Sequence, residues 1–169
     1  MKILGIDPGK RGVALQLSGE VCEYIKLRFD QQNLLDTNHF ISFILSCSPD
    51  LIIMEKVQAV HRWSCSANFV FGGVFYQLLL SLKHLRKPHR LVTPYDWQAV
   101  IHQGVEKKKE AKVRSLIAYE RLYPHKPIPL GPRAKVPHDG IMDALLIATY
   151  GKLTYDKDKS IKQIVMTEK

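Results

Sequence analysis

Cysteine is scarce in this sequence, with only Cys22, Cys47 and Cys65 among 169 residues. Their number is odd, they lie far apart, and they form neither a CxxC pair nor the Cys/His pattern of a zinc site. This excludes a disulfide-stapled secreted domain and predicts reduced thiols in a cytosol-like compartment. We expect the three side chains to pack in the core rather than to act in catalysis.

Long hydrophobic segments are also missing. No uninterrupted apolar run approaches the roughly 20 residues that cross a membrane. The N-terminus goes straight into a strand, without the apolar region and cleavage site of a signal peptide. We therefore expect no membrane partner and a protein that stays where it is made. The length of 169 residues predicts one domain with a substantial core.

Negative charge is the scarcer sign, with 16 Asp and Glu residues against 25 Lys and Arg residues. The net charge is +9 and the isoelectric point is near 9.5. A basic surface attracts polyanions, so nucleic acid is the leading class of partner. An anionic membrane surface, or a basic surface that serves only solubility, stays open as an alternative.

The pattern of apolar residues predicts a sheet with helices. Residues 2–12 hold a strand and a glycine-rich bend, and Val13–Ser18 and 21–28 continue as antiparallel strands. Residues 51–54 are a continuous apolar run typical of a buried parallel strand, and 90–93 predict another strand. This indicates an α/β fold whose mixed sheet has an antiparallel edge. The predicted helices cover 33–47, 67–85, 94–102, 106–123 and 139–150.

The chain contains no internal repeat and no linker between domains. Gly151 follows the last helical stretch, and glycine is common just after a helix end. Residues 1–151 are therefore predicted to form the domain, and residues 152–169 a polar C-terminal tail. Gly72 and Gly73 lie within an apolar helix, which predicts close packing or the approach of a ligand.

Acidic residues follow two of the predicted buried strands. Asp7 ends the first strand, and Glu55 directly follows residues 51–54. If these strands are parallel neighbours, both carboxylates emerge at one edge of the sheet, where α/β proteins place their sites. Asp139 and Asp143 are four apart, so they share one face of the last helix and can meet the same edge. Close carboxylates repel one another, so we expect Mg²⁺ or Mn²⁺ among them.

Such a cluster suits the hydrolysis of a phosphodiester. Two divalent ions can activate a water on one side of the phosphorus and stabilise the leaving oxygen on the other. This chemistry needs no cysteine nucleophile, serine triad or organic cofactor. It needs a polyanionic substrate, which agrees with the net charge of +9.

Three segments of the sequence resemble a known family. They are Gly-Ile-Asp-Pro-Gly at 5–9, Met-Glu at 54–55, and His-Asp-Gly-Ile-Met-Asp-Ala-Leu-Leu-Ile-Ala at 138–148. In this order they resemble the RuvC family of Holliday junction resolvases. The resemblance implies an RNase H-like fold and a homodimer. It also implies paired cuts in a four-way DNA junction with Mg²⁺ or Mn²⁺, which leave 5′-phosphate and 3′-hydroxyl ends.

The resemblance also assigns roles to the acids. Asp7 corresponds to the metal ligand on the first strand of the family, and Glu55 corresponds to the acid after its fourth strand. Asp139 and Asp143 correspond to the pair of acids on its C-terminal helix. Familiar bacterial members space this pair three apart. The spacing of four found here resembles the resolvase-like proteins of phages and organelles. It leaves open whether His138 or Asp139 corresponds to the first acid of the pair.

Other interpretations of the same residues stay open at this point. The glycine turn at 5–9 lacks the GxxxxGK[ST] spacing of a phosphate loop. Sugar-kinase and actin-like ATPases begin with a similar strand and turn but need two such domains. Asp7 also suits a simple turn, and Asp139 also suits a helix N-cap. His138 can transfer a proton, orient a water, bind a phosphate or simply pack.

A basic run and an aromatic residue are the candidate DNA contacts. The run 106–114 holds five basic and two acidic residues. It can form a solvated helix face, but in a basic nuclease we favour contact with phosphates. Trp63 is favoured for stacking on a base, whereas Phe69 and Phe71 are expected to pack in the core. The predicted DNA-binding residues are Lys107, Lys108, Lys109, Lys112, Arg114, Arg62 and Trp63.

The sequence thus predicts an RNase H-like α/β nuclease with a mixed five-stranded sheet, and helix 67–85 as its dimer interface. Its predicted function is to resolve four-way junctions by metal-dependent hydrolysis. The alternatives are a related nuclease for RNA–DNA hybrids or flaps, and a junction-binding protein that does not cut. The expected location is the cytoplasm of a bacterium or phage-infected host, or an organelle. The predicted catalytic residues are Asp7, Glu55, Asp139, Asp143 and His138.

Overall fold

The computed structural model describes residues 1–61, 63–126 and 138–167, and the side chains of the last helix as far as Tyr155. One predicted DNA contact, Arg62, lies outside the described residues. The last two residues of the predicted tail lie outside them as well.

Five strands of the described chain form one mixed sheet in the order β3-β2-β1-β4-β5. The strands β1, β2 and β3 pair antiparallel, whereas β4 pairs parallel with both β1 and β5. This confirms the predicted fold class, three antiparallel strands followed by parallel ones. The strands are β1 (Lys2–Asp7), β2 (Val13–Ser18), β3 (Val21–Lys26), β4 (Leu51–Glu55) and β5 (His89–Val92).

Helices cover both faces of the sheet because strand side chains alternate between the two faces. Leu4 and Ile52 pack in a core with the first two helices. Their neighbours Ile3 and Ile53 pack in a second core with the other three. The described helices are α1 (Thr37–Cys47), α2 (Cys65–His84), α3 (Pro94–Ile101), α4 (Ala111–Leu122) and α5 (Asp139–Thr167).

The helix α5 lies directly on the sheet, and two glycines make this close approach possible. A Cβ atom on Gly5 would lie 2.1 Å from the carbonyl oxygen of Ala144. A Cβ atom on Gly151 would lie 2.5 Å from Cγ1 of Ile53. The prediction that Gly151 ends the helix is wrong, because this glycine serves packing on β4 and α5 continues to Thr167.

The helix α1 begins four residues later than the start predicted at residue 33. Asn33 has a left-handed backbone with φ of 62° and lies outside the helix. The carboxylate of Asp36 accepts a hydrogen bond from the backbone N–H of His39 at 3.0 Å, so Asp36 caps the N-terminus. This cap fixes the start of α1 at Thr37.

Other packing predictions hold only in part. Cys47 is buried and Cys22 is half-buried, but the core prediction is wrong for Cys65, which is exposed at the start of α2. A Cβ atom on Gly72 or Gly73 would meet nothing within 4 Å. The prediction of close packing there is therefore wrong within the described chain, and this face of α2 is open to another molecule.

By length and composition, α2 is the one helix among the described residues that could cross a membrane. This is weak evidence, because the core helix of a soluble protein passes the same test. Val74, Leu78 and Leu82 of α2 are buried against the sheet and α1.

Candidate active site

The carboxyl ends of β1 and β4 bring two acids to one edge of the sheet. Ile6 and Met54 are partners in the parallel register. The next residues, Asp7 and Glu55, end their strands side by side, as the sequence predicts. Both side chains are partly buried.

The first turn of α5 lies against the same edge. A Cβ atom on Gly140 would lie 3.1 Å from Oδ2 of Asp7 and 2.8 Å from the carbonyl oxygen of Arg11. Any side chain at this position would therefore push the helix away from Asp7. Asp139 precedes this glycine, and Asp143 lies one helical turn after Asp139 on the same face. Sequence reasoning did not identify the role of Gly140.

His138 caps the N-terminus of α5. Its Nδ1 accepts a hydrogen bond from the backbone N–H of Ile141 at 3.3 Å, and its carbonyl oxygen accepts from Ile141 and Met142. Asp139 is consequently the first residue of the helix, so the alternative in which Asp139 is the N-cap is wrong. Burial, followed by the nearby charge of Lys26, lowers the pKa of His138. The imidazole is therefore neutral and can accept this hydrogen bond.

The four acids form one electrostatic cluster. Burial raises the pKa of Asp7 well above its usual range, and the charges of Asp143, Glu55 and Asp139 raise it further. Burial, with the charges of Glu55 and Asp139, raises the pKa of Asp143 to about 7. Burial also raises the pKa of Glu55. Acids that perturb one another in this way are neighbours, and their charged forms are disfavoured without a cation.

Three of the acids have a donor from the α3–α4 segment. The indole Nε1–H of Trp97 donates to Oε2 of Glu55 at 2.6 Å. The Nζ of Lys112 lies 2.6 Å from Oδ2 of Asp139. Hydrogen bonding from the hydroxyl of Ser115 lowers the pKa of Asp143 and so opposes the rise that burial causes.

Sequence reasoning missed two of these donors, Trp97 and Ser115. Each lies at a buried position of a helix, where the sequence pattern indicates only that the side chain faces the core. Which acid it meets depends on how α3 and α4 pack against β4 and α5, and that packing leaves no local signal in the sequence.

The four carboxylates are suitable ligands for a divalent cation, although their oxygens do not converge on a single position. Among the described residues, no three His, Cys, Asp or Glu side chains converge closely enough to form a ready-made metal cage. Four carboxylates without a cation repel one another, so an open arrangement is expected. Carboxylate oxygens are the ligands that Mg²⁺ and Mn²⁺ prefer. The ammonium of Lys112 already contributes one positive charge beside Asp139.

Comparisons with known proteins decide the fold family. No family model and no curated protein matches the sequence. The structure of T. thermophilus RuvC in complex with Holliday junction substrate is similar over 89% of this chain and 91% of that chain, with 16% identity and a TM-score of 0.59. The chain has the RuvC fold.

Two further solved structures show the same fold. A second Thermus thermophilus RuvC structure is similar over 91% of this chain and 97% of that chain, with 17% identity and a TM-score of 0.61. The yeast mitochondrial Holliday junction resolvase Ydc2 is similar over 88% of this chain and 76% of its own, with 17% identity and a TM-score of 0.54. The RNase H-like fold implied by the sequence resemblance is thus confirmed.

An aromatic cavity adjoins the acids of this RuvC-like chain. Its volume is about 660 Å³, and its lining includes Asp7, Lys10, Arg11 and Lys112. Trp63 and Phe71 line it as well, with their ring centroids 5.2 Å apart in an edge-to-face contact. The core prediction for Phe71 holds only in part, since its ring is half-buried. For Phe69, which is 83% exposed, it is wrong.

The basic run of the RuvC-like chain is divided between two places. α4 begins at Ala111 rather than at residue 106, so Lys107, Lys108 and Lys109 precede the helix. Lys112 lies at the acids, whereas Lys107 and Arg114 line a separate cavity of about 480 Å³. The alternative in which 106–114 form one solvated helix face is therefore wrong, whereas phosphate contact by these residues stays a prediction.

Proposed function

We propose that this protein is a metal-dependent endonuclease that cuts four-way DNA junctions. The observation that carries the proposal is the clustering of Asp7 with Glu55, Asp139 and Asp143 on a RuvC fold. The net charge of +9 supports a polyanionic substrate. One structural neighbour, T. thermophilus RuvC, was solved in complex with Holliday junction substrate. The proposed location is the cytoplasm or an organelle.

In the proposed mechanism, the four carboxylates would hold Mg²⁺ or Mn²⁺ at the edge of the sheet. When bound, the ions supply the charge that activates a water and stabilises the leaving oxygen of the phosphodiester. Burial and the other three acids raise the pKa of Asp7, and Gly140 allows α5 to approach it closely. His138 keeps the first turn of α5 in place through Nδ1. Its Nε2 is then left to contact a water or a phosphate oxygen.

The aromatic cavity is the proposed place for a nucleotide next to the cut. Trp63 is half-exposed, and its ring can stack on a base. Lys10, Arg11 and Lys112 in the lining of the same cavity are suited to phosphates. Lys107, Lys108, Lys109 and Arg114, further along the chain, would contact the backbone of a DNA arm. The predicted contact of Arg62 remains part of this proposal.

We further propose that α2 forms a homodimer interface. Phe69, Tyr76 and Leu80 are 83%, 61% and 63% exposed, and their spacing places them on one helix face. Gly72 and Gly73 lie between them with open space above, so a second helix could approach closely. Exposed apolar side chains on one face are typical of protein–protein contacts. A two-fold dimer would present two active sites to a junction with two-fold symmetry.

Replacing Leu80 by glutamate is expected to convert the dimer to a monomer. A carboxylate buried at the interface without a partner should raise the dimer dissociation constant at least about tenfold. Light scattering after size-exclusion chromatography measures this change. Leu45→Glu is the matched control, because Leu45 is 56% exposed on α1 and should leave the dimer intact. An equal loss of dimer in both variants, or in neither, contradicts the proposed interface.

The proposed function is tested with four labelled substrates of matched sequence in Mg²⁺: a four-way junction, a fork, an RNA–DNA hybrid and a linear duplex. The expected result is a pair of symmetric nicks near the centre of the four-way junction. Faster cutting of the hybrid or fork supports the related-nuclease alternative instead. Tight binding of the junction with no cutting in Mg²⁺ or Mn²⁺ supports the non-cleaving junction binder.

Replacing Lys112 by methionine should affect metal and DNA in opposite directions. The ammonium competes with a metal ion for Asp139, and a half-exposed ion pair contributes up to about 1 kcal/mol. The Mg²⁺ dissociation constant should therefore fall about two- to fivefold, while binding to the junction weakens. Isothermal titration calorimetry measures the first change and fluorescence anisotropy the second. Lys108→Met, an exposed lysine before α4, should leave the affinity for Mg²⁺ unchanged.

A further inference from the structure

Two of the four acids accept hydrogen bonds from neutral donors that are themselves buried. Trp97 is 1% exposed and donates to Glu55 at 2.6 Å. Ser115 is 3% exposed, and hydrogen bonding from its hydroxyl lowers the pKa of Asp143. Glu55 belongs to the sheet and Asp143 to α5, so α3 and α4 fix one carboxylate from each side of the site.

The hydroxyl of Ser115 is itself oriented by His102. The Nε2 of His102 lies 3.2 Å from Oγ of Ser115, and His102 is 2% exposed. Burial, followed by the charges of Arg114 and Arg121, lowers the pKa of His102 to about 4, so the imidazole is neutral. When the hydroxyl hydrogen of Ser115 goes to the ionised carboxylate of Asp143, the bond between His102 and Ser115 uses Nε2–H as its donor.

This arrangement leaves Nδ1 of His102 without a hydrogen. Nδ1 is one of the buried polar atoms that have no hydrogen-bond partner among the described residues. A buried ring nitrogen that lacks both a hydrogen and a partner is tolerated better than a buried N–H donor without a partner. The chain of donors from His102 through Ser115 to Asp143 is therefore internally consistent.

Neutral hydrogen-bond donors differ from Lys112 because they do not compete with a cation for the charge of the carboxylate. The ammonium of Lys112 offers Asp139 a positive charge that a metal ion would replace. The hydrogen bonds from Trp97 and Ser115 add no net charge, so they can persist when a cation binds the other oxygen of each carboxylate. Simple satisfaction of a buried indole or hydroxyl would explain one such bond. It does not explain why both bonds end on acids of the same cluster.

We infer that Trp97 and Ser115 are positioning residues that hold Glu55 and Asp143 in the orientation in which the two carboxylates bind a divalent ion together. This inference rests on the proposed function, because it assigns these residues a role in the same site. His102 acts one step further away by orienting the hydroxyl of Ser115.

The test is a Mg²⁺ titration of the protein without DNA, followed by calorimetry. Loss of a hydrogen bond to a metal ligand typically weakens metal binding about 10–100-fold. We expect the Mg²⁺ dissociation constant to rise at least about tenfold in Trp97→Phe, which keeps an aromatic ring at this position but removes the N–H. Ser115→Ala should show a similar rise, and Ser115→Thr, which keeps the hydroxyl, should bind like the wild type. Ser81→Ala is the matched control, since Ser81 is a buried helical serine of α2 that bonds only to its own helix.

A spectroscopic measurement separates positioning from a general loss of structure. The chain has two tryptophans, so an ¹⁵N-labelled sample shows two indole N–H signals. The signal of Trp97 should be protected from hydrogen exchange, should move in Glu55→Gln, and should move again on addition of Mg²⁺. The signal of Trp63 should stay in place in Glu55→Gln. Circular dichroism confirms that each variant is folded.

The outcomes distinguish this inference from the proposed function. If folded Trp97→Phe and Ser115→Ala bind Mg²⁺ within twofold of the wild type, the inference is overturned and the proposed function stands. If the wild type itself binds neither Mg²⁺ nor Mn²⁺, both are overturned. Weaker binding in both variants, with Ser115→Thr and Ser81→Ala unaffected, supports the inference.

Discussion

Replacing Asp7 by asparagine is expected to abolish cleavage of a four-way junction while leaving junction binding intact. Asparagine keeps the size of the side chain but removes its charge, and with it the proposed metal ligand that lies against Gly140 of α5. Removing a residue that hydrogen-bonds to a metal ligand typically lowers activity about 10–100-fold. Removing the ligand itself should therefore lower the cleavage rate at least about 100-fold. Single-turnover cleavage in Mg²⁺ measures the rate, and gel shift in Ca²⁺ measures binding.

Asp50→Asn is the matched control for this variant. Asp50 lies just before β4, at the opposite end of the sheet from Asp7, and accepts a hydrogen bond from the backbone N–H of Lys2 at 2.7 Å. Its replacement should leave the cleavage rate within about twofold of the wild type, because the proposed site is untouched. If Asp7→Asn cuts at the rate of the wild type, Asp7 has no part in catalysis and the assignment of the site is wrong.

The second large effect concerns the contribution of Asp143 to the stability of the protein without metal, which should fall as the pH rises. Asp143 has an ordinary pKa of 3.8 when unfolded and one of about 7 in the folded protein, and the pKa of Asp7 is also raised. Between these values the folded state binds more protons than the unfolded state, so deprotonation favours unfolding. Two pH units within that range correspond to about 3 kcal/mol for one such group.

Urea unfolding in EDTA at pH 5 and pH 8 measures this difference. We expect the wild type to lose about 3 kcal/mol more of its free energy of unfolding between pH 5 and pH 8 than Asp143→Asn does. The lowered pKa values of His102 and His138 act in the opposite direction, but they do so in both proteins. Added Mg²⁺ should restore the stability at pH 8, because a cation favours the charged carboxylates. An equal dependence on pH in the wild type and Asp143→Asn would show that the charge on Asp143 is not disfavoured by folding.

Local sequence patterns were sufficient to predict the sheet and the place of two acids at its edge. One apolar strand ends in Asp7 and another ends in Glu55. Because these two strands are parallel neighbours, both acids lie at the carboxyl edge of the sheet. The spacing of Asp139 and Asp143 determines a shared helix face. These features depend on periodicity over a few residues, which the sequence records directly.

Features that depend on contacts between distant segments could not be predicted in this way. Gly151 has the local signal of a helix end, but its lack of a side chain is needed for contact with Ile53 of β4. The hydrogen bond from Trp97 to Glu55 joins residues 42 positions apart. Lys112 belongs to a basic run that suggests a solvated surface, and only the packing of α4 near α5 brings it to Asp139.

Anomalous diffraction from crystals soaked in Mn²⁺ tests the central claim most directly. The account predicts at least one strong peak at the edge of the sheet, within about 2.3 Å of a carboxylate oxygen of Asp7 and of at least one other acid of the cluster. Lys112 should then have moved away from Asp139. An absence of any peak beside Asp7, at a Mn²⁺ concentration that supports cleavage in solution, would contradict the claim that these acids hold the metal.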